Sequence, residues 1–139
     1  MRKFRGNGGP MKTLISMFLS AVVAGISAGA EVAATDKPIQ VEQAVAKIEA
    51  GVQLLDVRTA EEWDAGHLKG AKLVTLSEEG FADKARAVLD PKKPVVVYCR
   101  SGKRSAKAAI LLLEGGFTTV HDMAGGITAW QKAGKPVVK

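Results

Sequence analysis

The sequence predicts an α/β fold: a central parallel sheet of about five strands covered by helices on both faces. Three observations predict it. Short apolar runs alternate with stretches of helical periodicity from residue 39 to residue 133. The run Val95-Val96-Val97-Tyr98 is apolar on successive residues, as a strand buried on both faces must be. Glycine, proline or a capping residue punctuates the runs, which leaves connections short enough for one compact sheet.

Taken in order, Ile39-Gln40-Val41 is expected as a first short strand. Ala44, Val45 and Ile48 then fall at helical spacing before Gly51. Val52 to Val57 forms the next strand, ending in the polar turn Arg58-Thr59. Thr59 is placed to cap an acidic helix through Glu61, Glu62 and Trp63, because its hydroxyl accepts from the first free amides and carboxylates favour that end. Gly66, Gly70 and Ala71 lead into a strand over Lys72 to Leu76. Ser77 is expected to cap a helix that runs to about Leu89, with Glu78 and Glu79 beside its start. Pro94 opens the strand Val95 to Tyr98. Beyond the basic loop that follows, Ala106, Ala109, Ile110 and Leu113 recur at i, i+3, i+4, i+7 and predict the buried face of a helix ended by Gly115-Gly116. Thr118 to His121 is a last strand, and Gly125-Gly126 opens a helix over Ile127 to Ala133.

The first thirty residues read as a segment apart. Arg2, Lys3, Arg5 and Lys12 precede an apolar stretch from Leu14 to Ala24, and Ala28-Gly29-Ala30 is a small-x-small cleavage pattern before Glu31. This is the pattern of a secretory signal, so residues 1–30 are expected to be removed on export, to the periplasm or an equivalent compartment. Met11-Lys12 offers an alternative start. Residues 31–38 read as a polar lead-in and 39–138 as the domain. An uncleaved anchor is the competing reading, but Leu14 to Ala30 lies at the short end of what spans a bilayer and is diluted by glycine and alanine; no stable membrane association is expected after cleavage. Residues 1–30 hold four of the twenty basic residues and none of the fourteen acidic ones, leaving sixteen against fourteen and a net charge of +2. That balance gives no support to a nucleic-acid partner.

Cys99 is the single cysteine, so no disulfide framework can hold the fold. A lone cysteine after valines is ordinarily a small buried hydrophobe. Here the next six residues, Arg100, Ser101, Gly102, Lys103, Arg104 and Ser105, carry three cations and no apolar side chain. A thiolate is the nucleophilic form of cysteine, and cations and a helix N-terminus both favour it. The successive amides of such a loop can curl into a nest around an anion, with Gly102 turning the backbone at little steric cost. The position, at the carboxyl end of a central strand, is where parallel sheets bind ligands.

At this loop the sequence resembles the rhodanese family, and the resemblance extends over most of residues 37–138. Leu54-Leu55-Asp56-Val57-Arg58, Glu61-Glu62-Trp63 and Gly66-His67-Leu68-Lys69-Gly70-Ala71 are similar to the family's early signature. Cys99 to Ala106 resembles its active-site loop, and Met123-Ala124-Gly125-Gly126-Ile127 with Trp130 its closing motif. The resemblance implies a single-domain sulfurtransferase that carries sulfane sulfur as a persulfide on Cys99. Thiosulfate is the donor it suggests, sulfite the leaving group, and cyanide, a thiol or a protein the acceptor. It implies that Arg100 to Ser105 form the anion-holding loop, with Arg100 foremost for the leaving sulfite, and it implies no metal or organic cofactor.

Two other classes stay open. A rhodanese-like domain can be a sulfur carrier or an interaction module without turnover. A cysteine phosphatase or arsenate reductase also cradles a thiolate, but sets its arginine one position further from the cysteine than Arg104, where this chain has Ser105. Asp56 and Arg58 end a strand near the loop and are candidates to support it, although a structural ion pair is the simpler role. Glu61, Glu62 and Asp64 read as a solvated helix start. Trp63 and Trp130 read as core anchors and Gly125-Gly126 as a point of close packing or a tight turn. His67 and His121 read as hydrogen-bonded loop or packing residues, too far apart with one cysteine to hold a metal.

Overall fold

The computed structural model describes residues 37–139. The expected leader, 1–30, and most of the lead-in lie outside the described residues. The described chain runs α1 (Val41–Glu49), β1 (Gln53–Asp56), α2 (Ala60–Ala65), β2 (Lys72–Leu73), α3 (Phe81–Val88), β3 (Val95–Tyr98), α4 (Lys103–Glu114), β4 (Val120–Asp122) and α5 (Gly126–Lys132). The strands form one parallel sheet of four in the order β2-β1-β3-β4. Gln53 to Asp56 pair in register with Val95 to Tyr98, placing the two longest strands at the centre.

Side chains alternate across these strands, and each face has its own core. Leu55, Val57, Val95, Val97 and Cys99 face α3 and α4, where Phe81, Ala85, Ala108 and Leu112 cover them. Leu54, Val96 and Tyr98 face α1 and α5, where Val41, Ala44, Ile127 and Trp130 cover them. Every residue of β3 is therefore buried, which is why its sequence shows no polar alternation.

Several elements differ from the expectation. Ile39 makes only an isolated parallel bridge to Met123, so the fifth strand shrinks to one residue and α1 starts at Val41. Two of the amphipathic helix's apolar residues, Val41 and Ala44, are buried against the sheet, and that burial takes Val41 into the helix. Ser77 lies in a turn and caps nothing; α3 begins after Gly80, with buried Phe81 fixing its first turn. The strand expected over Lys72 to Leu76 keeps two residues, although the amides of Val74 and Leu76 still donate to the carbonyls of Asp56 and Val57, at 3.0 Å each. The last strand runs to Asp122 instead of stopping at His121. The buried face of α4 is Ser105, Ala108, Ala109 and Leu112, while Ile110 is 56% exposed. Trp63 is only half-buried, stacked on the His67 ring with centroids 3.5 Å apart, whereas Trp130 is buried and donates to the carbonyl of Pro136 at 2.8 Å.

A buried polar network ties the carboxyl end of the sheet together. Asp56, fully buried, accepts from the Arg58 amide at 2.9 Å, from the Arg58 guanidinium at 2.7 Å and from the Tyr98 hydroxyl at 2.6 Å. The same guanidinium donates to the carbonyl of Gly66, and the Tyr98 oxygen accepts from the amide of Leu68 at 3.0 Å. Burial, reinforced by the Asp56 charge, pushes the Tyr98 hydroxyl far above its ordinary value, so it stays a donor. Burial pulls the Arg58 guanidinium down, but the Asp56 hydrogen bonds and charge outweigh it and leave it above its ordinary value. Substituting Tyr98→Phe strands the Leu68 amide and removes a donor from a buried carboxylate. Urea denaturation is expected to show a loss of about 2–3 kcal/mol; a loss below about 0.5 kcal/mol would mean that the network contributes nothing to stability.

Candidate active site

Cys99 follows directly on β3 and is 1% exposed. Its Sγ accepts from the amide of Gly102 at 3.0 Å. Gly102 has φ of 110°, which turns the chain back toward the sulfur and starts α4 in the next residue. The positive end of that twelve-residue helix thus meets the loop containing the thiol.

What fixes the loop is the start of α5. The amide of Ile127 donates to the carbonyl of Cys99 at 2.9 Å and that of Thr128 to the carbonyl of Arg100 at 3.1 Å. These are free amides of a helix N-terminus, and here they satisfy loop carbonyls that would otherwise need water. Gly126 makes the approach possible: with φ of 58°, any Cβ there would collide with the carbonyl oxygens of both Cys99 and Arg100.

The five other residues from Arg100 to Ser105, Gly102 aside, divide into three kinds. Arg100, Ser101 and Lys103 are exposed. Arg100 lines a cleft of about 360 Å³ together with Arg58, Glu62, Gly66, Thr128 and Gln131. Arg104 instead makes a two-pronged pair with Glu62, at 2.8 and 2.9 Å. Ser105 is buried, and its hydroxyl donates to Asp122 at 2.6 Å. Burial pushes the Asp122 carboxyl up, and the Ser105 hydrogen bond offsets part of that. Asp56 and Arg58 engage each other, as above, while Arg58 also borders the Arg100 cleft. Among the described residues, no group of three or more His, Cys, Asp or Glu could hold a metal ion, and no helix is long and apolar enough to cross a membrane.

Residues 40–133 match the rhodanese-like domain. This chain belongs to the rhodanese family. Thiosulfate sulfurtransferase 18 of Arabidopsis thaliana is 32% identical over 110 residues, covering 71% of this chain and 81% of that protein. Thiosulfate sulfurtransferase GlpE of Shewanella oneidensis is 37% identical over 98 residues, covering 70% of this chain and 94% of that one. Among solved structures, a rhodanese-related protein from Thermoplasma volcanium superposes with a TM-score of 0.64 at 30% identity, over 73% of this chain and 97% of its own.

Within this rhodanese domain, Glu62 is the site residue that sequence reasoning assigned to a solvated helix start. Its carboxylate serves twice. It closes a capping box with Thr59, whose amide donates to it at 3.1 Å, and it holds Arg104. The visible clue was the Thr-x-x-Glu spacing, which fixes the carboxylate at the helix start; nothing local indicated a partner 42 residues away.

The Arg104 hydrogen bonds hold the Glu62 carboxyl down at about 2, against an ordinary 4.5. An acid whose folded value is depressed adds stability that is complete above its unfolded value and lost as pH falls through the folded one. Glu62→Gln should therefore be less stable than wild type at pH 6, with the gap closing between about 4.5 and about 2. Chemical denaturation at a series of pH values checks this, and a gap independent of pH would contradict it.

Proposed function

We propose that this chain is a sulfurtransferase that carries sulfane sulfur on Cys99 as a persulfide. The observation that carries the proposal is the placement of one buried sulfur at the head of β3, with the Gly102 amide on it and the start of α4 beside it. An amide donor and a helix N-terminus at the sulfur suit a site that receives an anionic sulfur donor and releases an oxyanion. Thiosulfate is the proposed donor, in line with the names of the relatives above.

In the first half-reaction the Cys99 thiolate attacks the outer sulfur of thiosulfate. The S–S bond breaks, its electron pair leaves on sulfite, and the outer sulfur stays on Cys99. Arg100, exposed at the cleft beside the loop, has a guanidinium fork suited to the departing oxyanion. In the second half-reaction cyanide or a thiol takes that sulfur and returns Cys99 to the thiolate.

Two features favour sulfane sulfur over a tetrahedral phosphate. Ser105, where a cysteine phosphatase would need its arginine, is buried against Asp122, and Arg104 is committed to Glu62. Both leave the Gly102 amide as the donor on the sulfur, with no guanidinium at the position a phosphate would need.

Intact-mass measurement after thiosulfate treatment is expected to show one added sulfur on the wild-type protein and none on Cys99→Ser. Cyanide should remove it, and Cys99→Ser should lose turnover by roughly 10³-fold or more. A folded wild-type protein that gains no sulfur, or a serine variant that keeps turnover, would overturn the assignment.

A further inference from the structure

The helices α2 and α4 begin in different ways. At α2 the Thr59 hydroxyl accepts from the amide of Glu62 at 3.2 Å, the ordinary means by which a helix start satisfies its free amides. At α4 the capping position is Gly102, which has no side chain to offer, and the first turn holds no acidic residue. Two carboxylates from elsewhere in the chain anchor that turn instead, Glu62 through Arg104 and Asp122 through Ser105. We propose that Asp122 is a positioning residue for the Cys99 reaction: by holding the Ser105 hydroxyl it fixes the first turn of α4, and with it the Gly102 amide on the sulfur. The proposal rests on the sulfur-transfer reading above.

Burial is the first argument. Asp122 ends β4, and strand alternation puts it on the face of Val120, in the core beneath α4. It is 6% exposed, and the fully buried Ser105 hydroxyl is its one side-chain partner among the described residues. An apolar residue would fill this place with no desolvation cost, whereas a carboxylate there is tolerated only when hydrogen-bonded. What the carboxylate adds is a fixed contact with the third residue of α4.

The second argument is the route to the sulfur. Ser105 Oγ, drawn to Asp122, lies 3.3 Å from the carbonyl of Gly102, which also accepts from the amide of Ala106 at 3.2 Å. The amide of that same glycine is the donor on Sγ, at 3.0 Å. Gly102 also packs against the backbone of Gly125, whose nitrogen would lie 3.4 Å from a Cβ placed on it. Asp122 and Gly125 belong to one connection, and the amides of Ile127 and Thr128 just beyond it hold the carbonyls of Cys99 and Arg100. The chain between β4 and α5 therefore grips the loop at both ends, at Cys99 and at Ser105. Glycine has the widest backbone freedom of any residue, so Gly102 is the point at which a loosened second grip lets the amide leave the sulfur.

Free amides supply the third argument. A capping side chain would take one of the first amides of α4 for itself. Anchoring the turn through the Ser105 side chain holds it equally and takes none of them, so the amides stay open to an anionic sulfur donor at the loop.

Thiosulfate loading of Cys99 and hydrogen exchange at the Gly102 amide, measured on Asp122→Ala, Asp122→Asn and Ser105→Ala, test the proposal together. In both alanine variants loading at saturating thiosulfate is expected to fall about tenfold, part of what removing one aligned donor costs. The Gly102 amide should exchange about tenfold faster in the same variants. Asp122→Asn keeps an oxygen that accepts from Ser105, so it should stay within about threefold of wild type in both measurements. Asp122→Ala buries no charge, which keeps a folded variant in hand should Ser105→Ala, with its unpartnered carboxylate, fail to fold. A purely structural role predicts a lower urea midpoint with wild-type loading and exchange in the folded protein, and that result would sink the proposal. An asparagine variant as slow as the alanine variant would sink it too, because the hydrogen bond would then not be what matters. If wild type gains no sulfur at all, the sulfurtransferase reading fails by itself. Faster Gly102 exchange in the alanine variants and not in the asparagine variant would still show that Asp122 holds this amide.

Discussion

The first amides of α5 bind the carbonyls of Cys99 and Arg100, and this pair of hydrogen bonds sets the orientation of the loop that follows. A peptide whose carbonyl points toward α5 points its amide the other way. With its carbonyls held there, the chain can turn at Gly102, bring the Gly102 amide to Sγ and enter α4 with the helix N-terminus at the loop. The thiol environment is thus built by two helices from opposite faces of the sheet. One supplies positive backbone dipoles, and the other holds the loop that aims them. Gly126 is the position at which this arrangement admits no side chain.

Around that contact, polar groups are buried in matched sets. Asp56, Arg58 and Tyr98 satisfy one another beneath α2 and the Gly66 turn, and Ser105 satisfies Asp122 beneath α4. Buried polar groups of this kind are costly when broken and fix a unique arrangement when complete. Glu62 and Arg104 join α2 to α4 across the mouth of the candidate site, so the start of α2 and the Cys99 loop share an anchor. Charge is distributed accordingly: Arg100, Lys103 and Lys107 are exposed, while Arg58 and Arg104 are committed to carboxylates.

Much of this was visible in the chain itself. Uninterrupted apolarity marked β3, the Thr59 cap marked α2, and the abrupt change from four apolar residues to a cationic loop marked Cys99. These are local signals, carried by a few adjacent residues. The misreadings arose where a distant partner changed a residue's meaning. Ser105 reads as loop, yet Asp122 satisfies its hydroxyl, so it turns inward and rotates the buried face of α4 onto Ala108 and Leu112, leaving Ile110 outside. Glu62 reads as a solvated carboxylate until Arg104 arrives beside it. Ile39 has strand composition, but its neighbour Val41 gains more by joining α1 against the sheet. The glycine pair at the start of α5 reads as close packing or a tight turn, and at Gly126 the close packing is against the backbone of the Cys99 loop.

Contact between α5 and the loop holds the Cys99 environment in shape. The rate at which thiosulfate loads sulfur onto Cys99 in Gly126→Ala, in protein that still unfolds cooperatively, tests this most directly. A methyl group there must push the Cys99–Arg100 peptide away, and a displacement on the order of an ångström predicts a fall in loading of roughly 10²-fold. Loading at the wild-type rate in a folded variant would contradict the claim.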